Sequence, residues 1–264
     1  MINAKSIAVD LQTLRDNTPL VHNITNFVVM NNTANALLVI GASPVMAHAV
    51  EEVTDMVAIA SALVINIGTL NPLWVEGMIK AGIAATEKGI PVVFDPVGVG
   101  ATPYRNEVAV QIIEKCKPKI IRGNASEIMA LAKENVATKG VDSTVAANTA
   151  VDAAKSLANE TGAVVVISGA EDFITDGEQV IPIKNGSPLM PKVTGMGCTA
   201  SAVLGAFAAV NKNTLQAAAH GMAVMSICGE IAAKKSAGPG SLQMHFIDTL
   251  YNLNDKDIAD VFIA

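Results

Sequence analysis

Val193-Thr194-Gly195-Met196-Gly197-Cys198-Thr199 is the stretch on which the reading of this chain turns. Two glycines bracket a turn, and a cysteine arrives where the apolar run Ala200, Val203, Leu204, Phe207 begins a helix. A glycine turn that runs into a helix can offer free backbone N–H groups and the positive helix end to an anion, normally a phosphate. Cysteine is an unusual residue for that place, because a helix N-terminus favours its thiolate. The same residues also suit a plain glycine turn followed by a buried cysteine.

Upstream of this turn, short β-branched runs alternate with longer helical patterns. Strands are expected at Leu20–Ile24, Pro44–Met46, Leu63–Ile67, Pro91–Phe94, Lys119–Ile121 and Val164–Ile167. Between them, Asn31–Ile40, Glu51–Ala60, Pro72–Lys88, Arg105–Lys115 and Thr144–Glu160 are each long enough for a crossover helix. Repeated βα units of this kind imply an α/β fold with a mostly parallel sheet covered on both faces. Glu171–Ile183 breaks the rhythm: Asp176-Gly177 between Phe173-Ile174 and Val180-Ile181 reads as a hairpin. Two Ala-rich helices follow, about Thr199–Val210 and Leu215–Lys234.

The 264 residues suit one domain spanning 1–264, and 51% hydrophobic content can fill a large core. Only 16% of residues are charged, which points to some exterior being buried against other subunits. A net charge of −6 with no basic stripe argues against a nucleic-acid partner. No stretch approaches the ~20 apolar residues of a membrane span, and Met1–Thr18 has no apolar signal core. Cys116, Cys198 and Cys228 show no paired or metal-type spacing, so a cytoplasmic setting is expected, with Cys116 and Cys228 as small core residues.

Polar residues gather where the strands end. Val93-Phe94 runs into Asp95, Ile120-Ile121 into Arg122 and Asn124, and Val166-Ile167 into Ser168-Gly169. Ligands of open parallel sheets bind beyond these carboxyl ends, so the repetition marks a site. Singly, each has a plainer reading: Asp95-Pro96 can start a turn, and Ser168-Gly169 can cap a strand. Asn124 can cap the next helix with Glu127 one turn along, as in a capping box, and Arg122 can serve a surface ion pair or a phosphate. Gly238-Pro239-Gly240-Ser241 lacks the lysine of a phosphate loop. His220 and His245 read as structural or exposed.

The ordered set of motifs resembles one family. His22-Asn23-Ile24-Thr25-Asn26, Gly41-Ala42-Ser43-Pro44-Val45-Met46, Asn66-Ile67-Gly68-Thr69, Asp95-Pro96-Val97-Gly98, Arg122-Gly123-Asn124-Ala125-Ser126-Glu127 and the 193–199 turn occur in the order of the hydroxyethylthiazole kinases, a ribokinase-like branch. That branch has Cys where other ribokinase-like kinases have the Asp that deprotonates the substrate hydroxyl. The resemblance implies a three-layer α/β/α sandwich without a separate lid, and ATP- and Mg²⁺-dependent phosphorylation of 4-methyl-5-(2-hydroxyethyl)thiazole in thiamin (vitamin B1) biosynthesis. It implies Cys198 as the catalytic residue; Asn26, Met46, Gly68 and Gly195 around the thiazole; Arg122, Ser168 and Thr194 on ATP; and Asp95 and Glu127 near the metal. It further implies a homotrimer with sites at subunit interfaces. His22 and Asn23 can instead hold the turn after the first strand. Rival readings are a ribokinase-like kinase of another small alcohol or a sugar, a nucleotide-repair dehydratase on the same fold, and a silent binding protein. The cysteine and the missing lid oppose the first, loss of the Asp opposes the second, and intact Asp95, Arg122 and Glu127 oppose the third.

Overall fold

The computed structural model describes residues 2–138 and 150–263. In chain order the elements are α1 (Ala4–Asn17), β1 (Leu20–Ile24), α2 (Met30–Ile40), β2 (Ser43–Val45), α3 (Val53–Ile59), β3 (Ala62–Asn66), α4 (Pro72–Lys88), β4 (Val92–Asp95), α5 (Pro103–Cys116), β5 (Ile120–Asn124) and α6 (Ala125–Thr138). Then come α7 (Ala150–Thr161), β6 (Val164–Ser168), β7 (Asp172–Thr175), β8 (Val180–Ile183), a 3₁₀ turn (Met190–Lys192), α8 (Met196–Val210), α9 (Thr214–Lys234), α10 (Pro239–Asn252) and α11 (Asp255–Val261).

The strands form one eight-stranded sheet in the order β2-β1-β3-β4-β5-β6-β7-β8. β1 to β6 are parallel, and β7 and β8 are added antiparallel. Alternate residues of each strand enter different cores. Val64, Val93, Ile120, Val164 and Val166 pack with α1, α2, α8, α9 and α10 on one face. Leu63, Ile65, Val92, Phe94, Ile121, Val165 and Ile167 pack with α3 to α7 on the other. Because both faces are covered, the strands read as unbroken apolar runs, and each large side chain taken from water stabilises the fold by about 1.5–3 kcal/mol. The outer strands, β2 and β8, each contain a proline, Pro44 and Pro182.

The sheet bears out the expected α/β class. The helix expected at Thr144–Glu160 is described from Ala150 on as α7, and its first part lies outside the described residues. Three helices exceed the sequence reading. α1 buries only Ile7, Ala8, Leu11 and Leu14 among scattered charges, a stripe too narrow to stand out. Gly238-Pro239-Gly240-Ser241 opens α10, with Ser241 Oγ accepting the Gly238 N–H at 3.2 Å. α11 is a short helix that follows at once. His220 is buried and structural: its Nδ1 lies 2.6 Å from Asp10 Oδ2 and its Nε2 3.1 Å from Ser6 Oγ, which fastens α9 to α1.

The strand order sets where a ligand can sit. β1 is followed by β2 on one side and β3 on the other, so the chain reverses direction between β1 and β3. Such a switch point leaves a crevice at the carboxyl ends of the two strands. Here those ends carry Thr25-Asn26 and Asn66-Ile67-Gly68.

Candidate active site

Side-chain amides join across the crevice. Asn26 Nδ2, just past β1, donates to Asn66 Oδ1 at the end of β3 at 2.9 Å, and Gly68 N donates to the same oxygen at 2.9 Å. Asn66 Nδ2 donates to Asp95 Oδ2 at the end of β4 at 2.8 Å, and Ser201 Oγ of α8 donates there at 2.7 Å. Asp95 is fully buried and its other oxygen, Oδ1, has no partner. Burial raises its pKa, with the Glu127 charge adding to the rise, while Arg122, Ser201 and Asn66 pull the other way.

Over this cluster stands the start of α8. Gly195 is its N-cap at φ 88°, in the left-handed region that favours glycine, and no side chain caps the helix. The N–H groups of Met196, Gly197 and Cys198 therefore lack an intrahelical partner, at the positive end of a 15-residue helix. A side chain at Gly197 would come within 2.6 Å of Arg122 Nη1, so a bare backbone lets the guanidinium lie against the helix end. Arg122 also donates to Ser168 Oγ, lies 3.9 Å from Asp95 Oδ2, and keeps a buried Nε without a partner.

The helix begins at Met196, three residues earlier than the sequence pattern suggests, which puts Cys198 in its first turn. Asn26 Nδ2 donates to Cys198 Sγ at 3.4 Å. The position does not favour a thiolate. Burial and then the Asp95 charge push the thiol up to about 11, against smaller opposing effects of Asn66, Asn26 and Arg122. Desolvation here outweighs the helix terminus.

Glu127 carries both roles considered for it. Its Oε2 accepts the Asn124 N–H at 2.9 Å while Asn124 Oδ1 accepts the Glu127 N–H at 2.9 Å, the reciprocal pair of a capping box. Its Oε1 accepts the Gly98 N–H at 2.8 Å, tying the loop after β4 to α6. Each oxygen keeps a second lone pair. Among the described residues no group of three or more His, Cys, Asp or Glu is arranged to cage a metal. Two hard carboxylates, one with a bare buried oxygen, fit a Mg²⁺ that keeps most of its waters and substrate oxygens.

Beyond Arg122 opens a cavity of about 680 Å³. Its lining includes Arg122, Asn124, Ser168 and Gly169 at the strand ends, Met196, Gly197 and Ala200 of α8, Met222, Met225 and Ser226 of α9, and residues of the 184–191 loop. Thr194 does not line it. That residue is exposed and borders a separate pocket of about 20 Å³ with Asn32 and Gln243. Asn26, Gly68, Gly195 and Cys198 gather at the crevice, and Met46 lies half-buried one residue past β2, which pairs with β1. His22 is buried with its pKa lowered by burial, and its Nε2 contacts Ala47 O at 2.7 Å, fixing the chain beside Met46. Phe27, Trp74 and His48 pack in a row as tilted rings, with ring centroids 4.5 and 4.3 Å apart.

A family model matches residues 11–256, a span that takes in every motif described above. The chain belongs to the Hydroxyethylthiazole kinase family. The hydroxyethylthiazole kinase of Syntrophus aciditrophicus is 58% identical over 250 residues, covering 94% of this chain and 93% of that protein. The structure of a hydroxyethylthiazole kinase protein from Pyrococcus horikoshii is 41% identical with a TM-score of 0.91, covering 98% of both chains. A ribokinase-like superfamily protein of Enterococcus faecalis, 13% identical, covers 96% of each chain at a TM-score of 0.67 and shares the fold. The family resemblance and the ribokinase-like fold expected from it are thus borne out.

For a hydroxyethylthiazole kinase family member, the sequence left several site residues unassigned. Asn66 stood in a quoted motif whose role went to Gly68, although an amide ending a buried strand is itself a signal. Ser201 lies one turn beyond Cys198, one of two buried hydroxyl residues, with Thr199, in a largely apolar helix. Asp172 is buried in the wall of the large cavity, with its Oδ1 accepting the Gly169 N–H at 2.9 Å and its Oδ2 accepting from Ser226 Oγ at 3.1 Å. The hairpin signal around Asp176-Gly177 masked it.

Proposed function

We propose that the protein transfers the γ-phosphoryl group of ATP to the primary hydroxyl of 4-methyl-5-(2-hydroxyethyl)thiazole, giving the thiazole phosphate used in thiamin biosynthesis or salvage. The observation that carries this is the uncapped start of α8. It lies between the Asn26–Asn66–Asp95 crevice and the Arg122–Ser168 end of the large cavity. Family membership gives the chemistry, and the large cavity on one side of this helix start gives room for a nucleotide.

In this reading the thiazole ring lies among Asn26, Met46, Gly68 and Gly195, where a largely apolar pocket needs few polar groups to orient it. Its hydroxyl meets Cys198. The γ-phosphoryl meets the free N–H groups of Met196–Cys198, and Arg122 and Ser168 hold the nucleotide phosphates, so positioning and electrostatics carry the step. Mg²⁺, when bound, offsets charge on the phosphate oxygens, and Asp95 and Glu127 would hold it or its water shell. A thiol with its pKa near 11 is protonated at neutral pH, so Cys198 in its main form orients the hydroxyl, and only its minor thiolate form can take the hydroxyl proton as negative charge moves onto the phosphoryl group.

The reading takes the whole chain, 1–264, as one kinase domain in the cytoplasm, which suits three free thiols. It also takes the active form as a homotrimer. Phe27, Val28 and Leu73 are 61%, 63% and 68% exposed beside the crevice, and a neighbouring subunit would cover them and exclude water there, since the described residues include no separate lid. The test is product detection by mass spectrometry with the thiazole alcohol, ribose and pyridoxal offered separately with ATP and Mg²⁺. Phosphate on ribose but not on the thiazole alcohol would overturn it.

A further inference from the structure

We propose that the nucleotide end of the site does not read the base, so that GTP, CTP and UTP serve as phosphoryl donors alongside ATP. The inference rests on the nucleotide reading of the large cavity. Besides Arg122 and its neighbours, that cavity is walled by Met222 and Met225 of α9, Met196 and Ala200 of α8, and Pro188 and Met190 of the loop. Thioether and pyrrolidine groups pack on any flat ring, but they do not tell a ring amine from a ring carbonyl.

The polar groups that could make that distinction are already committed. Asn185 is buried; its Nδ2 donates to Glu230 Oε2 and to Val261 O, both at 2.8 Å, and its Oδ1 accepts Ile263 N at 3.0 Å. Ser226 donates to Asp172, and Asp172 feels the Arg122 charge, on the phosphate side of the cavity. Ser187 is a hydroxyl, able to donate or accept, and so selects nothing. Lys184 is exposed on a flexible stem and, as a donor, suits a phosphate, the N7 of either purine or a pyrimidine oxygen.

Several backbone N–H groups of the loop are spent as well. The Gly186 N–H goes to Glu230, Leu189 N to Ser187 Oγ at 3.3 Å, Met190 N to Ser187 O at 3.0 Å and Lys192 N to Leu189 O at 3.0 Å. Pro188 and Pro191 have no N–H to give. The Ser187 N–H and the carbonyl oxygens remain, and one such contact to a base edge is worth roughly tenfold in affinity. Sites built to hydrogen-bond a substrate reject the wrong one by ~10⁴–10⁵-fold, whereas apolar pockets discriminate by only ~10–200-fold.

The step itself is the same for every donor. A bond forms from the substrate oxygen to the γ-phosphorus as the bond from that phosphorus to the β–γ bridging oxygen breaks. The nucleoside diphosphate leaves with the bonding electron pair, and the hydroxyl proton is released. No atom of the base takes part.

The test pairs calorimetric titration of ADP, GDP, CDP and UDP with kcat/KM for the four triphosphates on the thiazole alcohol. The expected result is that all four bind, with affinities and kcat/KM values each spanning less than about 200-fold. Tight ADP binding with any other diphosphate more than 200-fold weaker would overturn the inference and leave the kinase reading standing, as would a spread in kcat/KM wider than that. Comparable binding of all four without any phosphoryl transfer to the thiazole alcohol would uphold base-blindness and overturn the assigned acceptor. Failure of every diphosphate to bind would overturn both. Met190→Ala, on a half-buried loop residue, should weaken the four diphosphates in parallel; an effect on one base alone, or on none, would also refute the proposal.

Discussion

Replacing Cys198 tests the chemistry at its most exposed point. With its thiol pushed up to about 11, only about one molecule in 10⁴ carries a thiolate at pH 7. If that thiolate takes the proton in the rate-limiting step, kcat should climb tenfold per pH unit, roughly 300-fold between pH 7 and 9.5. Cys198→Asp places a carboxylate there whose ordinary pKa is about 3.9, and a rise even of ~2–3 units leaves much of it ionised at pH 7. The gain of up to ~10⁴ in available base is partly returned through weaker basicity, so kcat should rise by roughly tenfold and lose its alkaline climb. Cys198→Ala should bind both substrates and lose ~10²–10⁴-fold in kcat. Coupled-assay kinetics from pH 6 to 9.5 on all three proteins decide the matter. An Ala variant as fast as the wild type, beside a folded but inactive Asp variant, would refute the reasoning and leave Cys198 as a packing residue. The stability effect has its own sign. The folded value lies above the reference of 9.0, so the protonated thiol stabilises the fold below about pH 9, and this is lost as pH rises through about 11. Cys198→Ala should flatten that part of the alkaline melting curve.

Other substitutions separate binding from fold. Glu127→Gln should lower kcat by ~10²-fold or more and weaken Mg·ATP use more than thiazole binding; an unchanged kcat across a Mg²⁺ titration would leave Glu127 as the helix cap alone. Asp95→Asn should abolish turnover yet raise Tm by a few degrees, because the raised pKa of Asp95 means that its buried charge costs stability at neutral pH; a lower Tm in calorimetry would contradict that cost. Phe27→Asp should dissociate the proposed trimer and reduce activity together, and light scattering of a fully active monomer would rule out shared sites.

How much of this was legible in the sequence follows from what each signal measures. Strands covered on both faces declare themselves as apolar runs, so β1, β3 and β6 were found within about a residue of their ends. α1 and α10 bury narrow stripes, and their starts depend on cap contacts that periodicity does not register. The site residues at strand ends were legible because ends are local. Ser201 and Asp172 were not, since each matters through a partner 106 or 54 residues away. The acidity of Cys198 lay further out of reach: a helix terminus is written in the sequence, but burial beside Asp95 is decided by the packed sheet.

The prolines of the two outer strands bear on how copies of this chain can meet. A strand at the margin of a sheet is a template on which another chain can continue the ladder, and Pro44 and Pro182 each remove an amide that such a continuation would use. β2 is also only three residues long, which leaves little to extend. Growth of the sheet from one molecule into the next is thereby discouraged at both margins. Association is left to helix and loop surfaces, which can close on a fixed number of subunits, whereas an open ladder propagates into a fibre.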